Sequence, residues 1–138
     1  MHTKIIYKEL SYIIQGCAFD LRKRYGASHK ESVYANLLLE SLTSKKVNVV
    51  KEKRIPVYSQ ATGAVMGWYQ PDLVVEEIIL IELKATTHPL KRDADQVIDY
   101  LKNSRFELGY LINFGSYPLY LKRFIFTNDR KPFLPARS

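Results

Sequence analysis

Apolar residues at helical spacing open the chain. Ile6, Leu10, Ile13, Ile14, Cys17 and Leu21 recur at three- and four-residue intervals, which predicts an amphipathic helix over residues 5–25. Gly26 marks its stop, because glycine enters the left-handed backbone that ends helices at little steric cost. Ser28 and Glu31 stand in the S-x-x-E spacing of a capping box, directly before Val33, Tyr34, Leu37, Leu38 and Leu42. A second helix is predicted over 29–45.

Beyond this point the period changes. Val47–Val50 and Arg54–Tyr58 are short β-prone runs, and Thr62-Gly63 marks a turn. Val65–Val75 and Ile78–Ala85 read as two further strands, the second with Ile and Leu on both faces, as expected of a buried central strand. A third helix over 90–104 places Ala94, Val97, Ile98 and Leu101 on one face, and Leu108–Phe114 and Leu119–Phe126 complete the pattern as strands. The order α-α-β-β-β-β-α-β-β is best met by an α/β domain over residues 1–126, with a mixed central sheet flanked by helices. Residues 127–138 hold two prolines and little apolar content beyond Phe133 and Leu134, so a flexible tail is expected there.

Composition narrows the class. A length of 138 residues with 46% hydrophobic content suits one folded domain. The longest aliphatic run, Ile78–Ile81, is stopped at once by Glu82, far short of the roughly 18–20 residues that span a bilayer. Lys4, Lys8 and Glu9 interrupt the N-terminal apolar stretch, so it lacks a signal-peptide core. Cys17 is the single cysteine, which excludes an internal disulfide and a cysteine zinc site, and its place on the apolar helix face predicts a core residue. These features predict a soluble, cytoplasmic domain with no membrane partner.

Charge changes the picture further. Lys and Arg number 21 against 14 Asp and Glu, a formal net charge of +7. Residues 1–83 carry 11 basic and 9 acidic side chains, whereas residues 84–138 carry 10 and 5. Such an excess points to a polyanion, nucleic acid first, with solubility as the plain alternative.

The candidate chemistry lies in two strand-like runs. Asp72 follows Pro71 in one, and Glu82-Leu83-Lys84 ends the next. Residues i and i+2 of a strand share a face, so Glu82 and Lys84 point the same way. With Asp72 opposite, two carboxylates and an ammonium converge at the edge of an apolar sheet, an arrangement suited to Mg²⁺. Lys84 then orients or deprotonates a water; a solvated Glu82–Lys84 pair is the alternative. Glu31 has two readings open, a capping-box residue or a member of this acidic cluster. Gln96 and Tyr100, at i and i+4, share a helix face, and Lys91 and Arg92 open the same helix. Trp68 and Tyr69, just before Pro71-Asp72, fit strand-core packing or stacking on a base. His2, His29 and His88 lack metal-ligand spacing, and no serine stands in a G-x-S-x-G setting.

Together these residues resemble the motif of the PD-(D/E)XK nuclease superfamily. Residues 26–34, Gly-Ala-Ser-His-Lys-Glu-Ser-Val-Tyr, resemble the signature of its small GxxExxY family, with Ser28 where the family's naming glycine falls and Glu31 and Tyr34 kept. Arg54-Ile55-Pro56-Val57, Asp72-Leu73-Val74-Val75, Gln96…Tyr100-Leu101 and Leu111-Ile112-Asn113-Phe114-Gly115 extend the similarity from about residue 5 to 126. The resemblance implies a restriction-endonuclease-like core. It implies metal binding by Asp72 and Glu82, with the Leu83 carbonyl as a further ligand, and Lys84 as the catalytic lysine. It moves Glu31 toward the catalytic set and makes Tyr34, Gln96 and Tyr100 accessory residues.

The expected activity is therefore hydrolysis of phosphodiester bonds in nucleic acid, DNA ahead of RNA, with Mg²⁺ or Mn²⁺. Lys91, Arg92, Lys122 and Arg123 are expected to hold the phosphate backbone without reading sequence. A homodimer that engages two strands is compatible with a nuclease of this size. The alternatives are a catalytically inactive nucleic-acid-binding module and a protein-interaction partner with the same fold.

Overall fold

Two apolar layers on opposite faces of one sheet organise the chain. The computed structural model describes the backbone of residues 2–134 and side chains from residue 7 onward, so Ile6 and residues 135–138 lie outside the described side chains. Helices α1 (His2–Tyr25) and α2 (Glu31–Ser44) lead into strands β1 (Val49–Lys51), β2 (Ile55–Tyr58), β3 (Val65–Tyr69), β4 (Leu73–Val75) and β5 (Ile79–Lys84). Helix α3 (Lys91–Lys102) and strands β6 (Leu108–Asn113) and β7 (Tyr120–Ile125) follow. The five-stranded sheet runs β1-β4-β5-β6-β7, parallel only between β5 and β6, where α3 makes the crossover. β5 occupies its centre, as its apolar run predicts.

One face of the sheet carries Leu73, Ile79, Ile81, Leu83, Tyr110 and Ile112 against Ile14, Leu21, Tyr34 and Leu38 of α1 and α2, and Cys17 is buried in the same layer. The other carries Leu80, Leu111 and Phe124 against Val97 and Leu101 of α3 and Ile55 and Tyr69 of the β2–β3 hairpin. Strand alternation thus gives each face its own core. Among the described residues no helix is long and apolar enough to cross a membrane.

Three sequence expectations are corrected. Val65–Val75 is not one strand: it divides at Gln70-Pro71-Asp72 into β3 and β4, which join different sheets. Pro71 lacks the N–H that an interior strand position must donate. The capping box is absent, because α2 begins at Glu31 with Lys30 as an N-cap that makes no side-chain cap bond. Tyr34 serves the loop instead: its hydroxyl donates to the Gly26 carbonyl at 2.5 Å and accepts the His29 N–H at 3.3 Å. Gly26, at φ 75°, turns the chain so that both groups face that hydroxyl.

The third correction concerns the tail, of which residues 127–134 pack against the domain. Asn128–Arg130 forms a short 3₁₀ turn, and Phe133 stacks on Tyr58 at 5.2 Å between ring centroids. Lys131 is buried, with Nζ donating to the Ser104 and Phe106 carbonyls at 2.8 and 2.7 Å. Burial pushes its pKa down to about 8. The apolar stem and paired carbonyls explain how a lysine anchors a segment that composition alone marks as loose.

The exit of β5 is fixed from β6. The buried Asn113 accepts the Thr86 and Gly115 N–H groups at Oδ1, both at 3.0 Å, and donates from Nδ2 to Thr86 Oγ1. Gly115 permits this approach: a Cβ there would lie 2.6 Å from the Thr86 carbonyl oxygen and 2.7 Å from the Ala85 carbonyl carbon. Backbone on both sides leaves no flexible side chain to yield. Gly115→Ala is expected to lower the unfolding free energy by about 1–3 kcal/mol in urea titration.

Candidate metal and catalytic site

The division of 65–75 into two strands creates the site. β4 pairs antiparallel with β5, Leu73 opposite Ile81, and one further step of this register sets Asp72 opposite Glu82. Asp72 Oδ2 accepts the Leu83 N–H at 2.7 Å, so a carboxylate takes the place of a strand partner where β4 begins. On β5, Leu80 belongs to the α3-side core, and alternation puts Glu82 and Lys84 on that same face.

Electrostatics record how close the two carboxyls are. Burial, then the charge of Asp72 and a hydrogen bond with it, push the Glu82 pKa up to about 8, while the Lys84 ammonium pulls it down. Glu82 therefore tends to hold its proton near neutrality, and a divalent cation would favour its charged form. Among the described residues no group of three or more His, Cys, Asp or Glu side chains could hold a metal. Two carboxylates with backbone and water as remaining ligands nevertheless fit Mg²⁺ or Mn²⁺, which commonly bind through one or two carboxylates plus substrate phosphate.

The site has neighbours that sequence reading missed. Lys84 Nζ lies 3.9 Å from Asp93 Oδ1, and Asp93 is buried in the first turn of α3. A readable signal existed: Asp93, Val97 and Leu101 stand four apart, so the charge begins a buried apolar stripe. Tyr69, which the sequence offered only as a core or base-stacking residue, is the second. It is 6% exposed, and its ring stacks on Tyr100 at 3.3 Å between centroids and 12° between planes. Its hydroxyl faces Glu82, with Tyr100 and Asp72 nearby. Burial, followed by the Glu82 charge, pushes its pKa well above the ordinary phenol range.

The predicted residues are distributed as follows. Gln96 Nε2 donates to the Tyr100 hydroxyl at 3.3 Å, so this pair borders the site through Tyr69. Glu31 opens α2 on the opposite side of the sheet and does not join Asp72 and Glu82 in one acidic cluster. It does line a cleft with Ser28, His29, Lys30, Ser32 and Ala85, next to Lys84 in sequence. Tyr34 is fully buried, stacked on Phe114 at 4.3 Å, with its hydroxyl engaged by the α1–α2 loop. Lys91 is exposed and paired with Asp95 at 2.8 Å, beside the exposed Arg92.

Lys122 and Arg123 do not form one basic patch, because adjacent strand residues point to opposite faces. Lys122 lies over the Phe124 ring on the site's face of the sheet, while Arg123 lines a groove with Lys8, Tyr12 and Gln15 of α1.

The family model of the PD-(D/E)XK nuclease superfamily matches residues 8–124. The chain belongs to that superfamily. No curated protein and no solved structure matches it. The mixed five-stranded sheet between helical layers is a restriction-endonuclease-like fold. In this PD-(D/E)XK protein, Pro71-Asp72 and Glu82-Leu83-Lys84 stand side by side where β4 begins and β5 ends.

The raised Glu82 pKa has a stability consequence with a definite sign. Between pH 4.5 and about 8 the folded chain holds a proton that the unfolded chain has released. The resulting stabilisation of the metal-free protein is full below pH 4.5 and is lost as pH rises through about 8. Glu82→Gln cannot ionise. Its stability advantage over wild type is expected to grow by on the order of 3 kcal/mol from pH 5 to pH 8, read by urea unfolding without divalent metal.

Proposed function

We propose that the protein is a Mg²⁺- or Mn²⁺-dependent nuclease that hydrolyses phosphodiester bonds in DNA. The half-buried pairing of Asp72 with Glu82, on the face that also carries Lys84, is the observation that carries this reading. When bound, a divalent ion supplies Lewis-acid stabilisation of phosphate charge and lowers the pKa of water. Asp72 and Glu82 hold the ion, and the Leu83 carbonyl is the third protein ligand. The Leu83 N–H fixes one Asp72 oxygen and leaves the other for the metal. Lys84 orients the attacking water, and Asp93 keeps its ammonium beside the site.

Glu31, across the sheet from the paired acids, enters this reading only as an accessory acidic residue of the cleft beside Ala85. Lys91, Arg92 and Lys122 receive the phosphate backbone. Arg123, on the α1 side of the sheet, is left out of this role.

Purified protein with Mg²⁺ or Mn²⁺ is expected to cleave DNA among single-stranded, duplex and branched forms. Glu82→Ala is expected to lower the rate at least about 100-fold. Equal cleavage by wild type and Glu82→Ala would assign the activity to a contaminant and remove the reading. Binding without cleavage by wild type would favour the inactive nucleic-acid-binding module instead.

Tyr69→Phe tests the support of the metal ligand. The substitution keeps the ring on Tyr100 and deletes the hydroxyl that faces Glu82. Mn²⁺ affinity, measured calorimetrically, is expected to fall about 10–100-fold.

A further inference from the structure

The β2–β3 hairpin carries an apolar surface that neither the core nor the metal site uses. The end of β3 divides: Tyr69 turns inward at 6% exposed, whereas Trp68 is 56% and Met66 65% exposed. Pro56 is the cross-strand partner of Trp68, so a flat ring borders the indole. The Arg54 guanidinium lies 4.8 Å from the Trp68 ring centroid. Sequence reading allowed Trp68 either core packing or base stacking, and its exposure removes the first.

We propose that this face is a stacking platform for unpaired bases, so that the substrate strand reaches the Asp72/Glu82 site single-stranded. The proposal rests on the nuclease reading and names its substrate class. An exposed indole offers a base the kind of π-surface that single-strand-binding proteins use, and it tolerates any sequence. In a duplex the base faces are already stacked on one another and presented only as groove edges. Arg54 supplies the complementary charge, placing a cation beside the base where the phosphate of a bound strand must run. A second copy of the chain, which would also cover apolar rings, gains nothing from an added cation at the centre of the patch. Position supports the same occupant. Trp68 precedes Asp72 by four residues, so the chain between them spans at most ~14 Å, a reach of a few nucleotides.

Trp68 is the chain's one tryptophan, so its intrinsic fluorescence reports on this surface alone. The full chain, in EDTA to prevent cleavage, is titrated at low salt with an oligodeoxyuridylate of about 12 nucleotides, an oligouridylate of equal length and a DNA duplex of equal length. Saturable quenching by a single strand and little by the duplex is expected, and the tighter of the two single strands identifies the preferred sugar. Trp68→Ala, followed by anisotropy of a labelled strand, is expected to bind about tenfold more weakly. Trp68→Phe keeps a ring and is expected to stay within about threefold of wild type. Far-UV circular dichroism confirms that both variants are folded.

Absence of quenching, equal quenching by duplex, or unchanged affinity in Trp68→Ala overturns the proposal. An emission change that depends on protein concentration without nucleic acid, together with a dimer on sizing chromatography, overturns it in favour of a second copy. Glu82→Ala is expected to quench as wild type does, so failure of the nuclease reading and failure of the platform are separable.

Discussion

The hydrogen bond from the Leu83 N–H to the Asp72 carboxylate is the constraint on which the site depends. It joins the first residue before β4 to the end of β5 and holds Asp72 beside Glu82, where burial and the neighbouring carboxylate disfavour the Glu82 charge. The strands here have their apolar partners on either side, so the local repulsion is carried by the surrounding sheet. The charge that a metal would neutralise is thus built into the backbone geometry rather than left to side-chain rotamers.

Support for this geometry comes from the far side of β5. Asn113 ends β6 and binds the Thr86 N–H and hydroxyl, and Gly115 lets the following turn touch the Ala85–Thr86 backbone. Together they set where the chain leaves after Lys84. Tyr34 acts comparably at the start of α2, where its hydroxyl ties Gly26 to His29 and its ring lies on Phe114, the residue after Asn113. The glutamate at 31 and the lysine at 84 are therefore placed by two polar anchors that meet at Phe114. A tyrosine that resembles a site residue by motif is a structural one by contact.

Much of this was legible in the sequence, for identifiable reasons. The three helices follow from 3.6-residue periodicity, and the central place of β5 follows from its unbroken Ile-Leu run. The joint appearance of Asp72, Glu82 and Lys84 indicated one site, since strand alternation already fixed the shared face of the last two. Other features depend on long-range contacts that no local pattern encodes. The break at Pro71 was masked by apolar residues on both sides of it. The S-x-x-E cap lost to a hydroxyl several residues on. Lys131 found carbonyls 27 and 25 residues away in sequence. Lys122 and Arg123, both expected at the phosphate backbone, are sent to opposite faces by strand alternation.

Alternation along β5 finally explains how one short strand serves both stability and chemistry. Ile79, Ile81 and Leu83 face α1 and α2 and complete a dry core, while Leu80, Glu82 and Lys84 face α3. A slip of one residue in the β4–β5 register would send the acids into that dry core and the isoleucines to the site. The apolar side therefore fixes the register, and the register fixes where the carboxylates meet. Tyr69 and Trp68 repeat the division on β3, one ring turned to the acids and the next turned to solvent beside Arg54. On both strands, neighbouring residues of opposite character are sent to opposite faces, so the apolar contacts that hold the fold and the polar groups that gather at its edge do not compete for the same side.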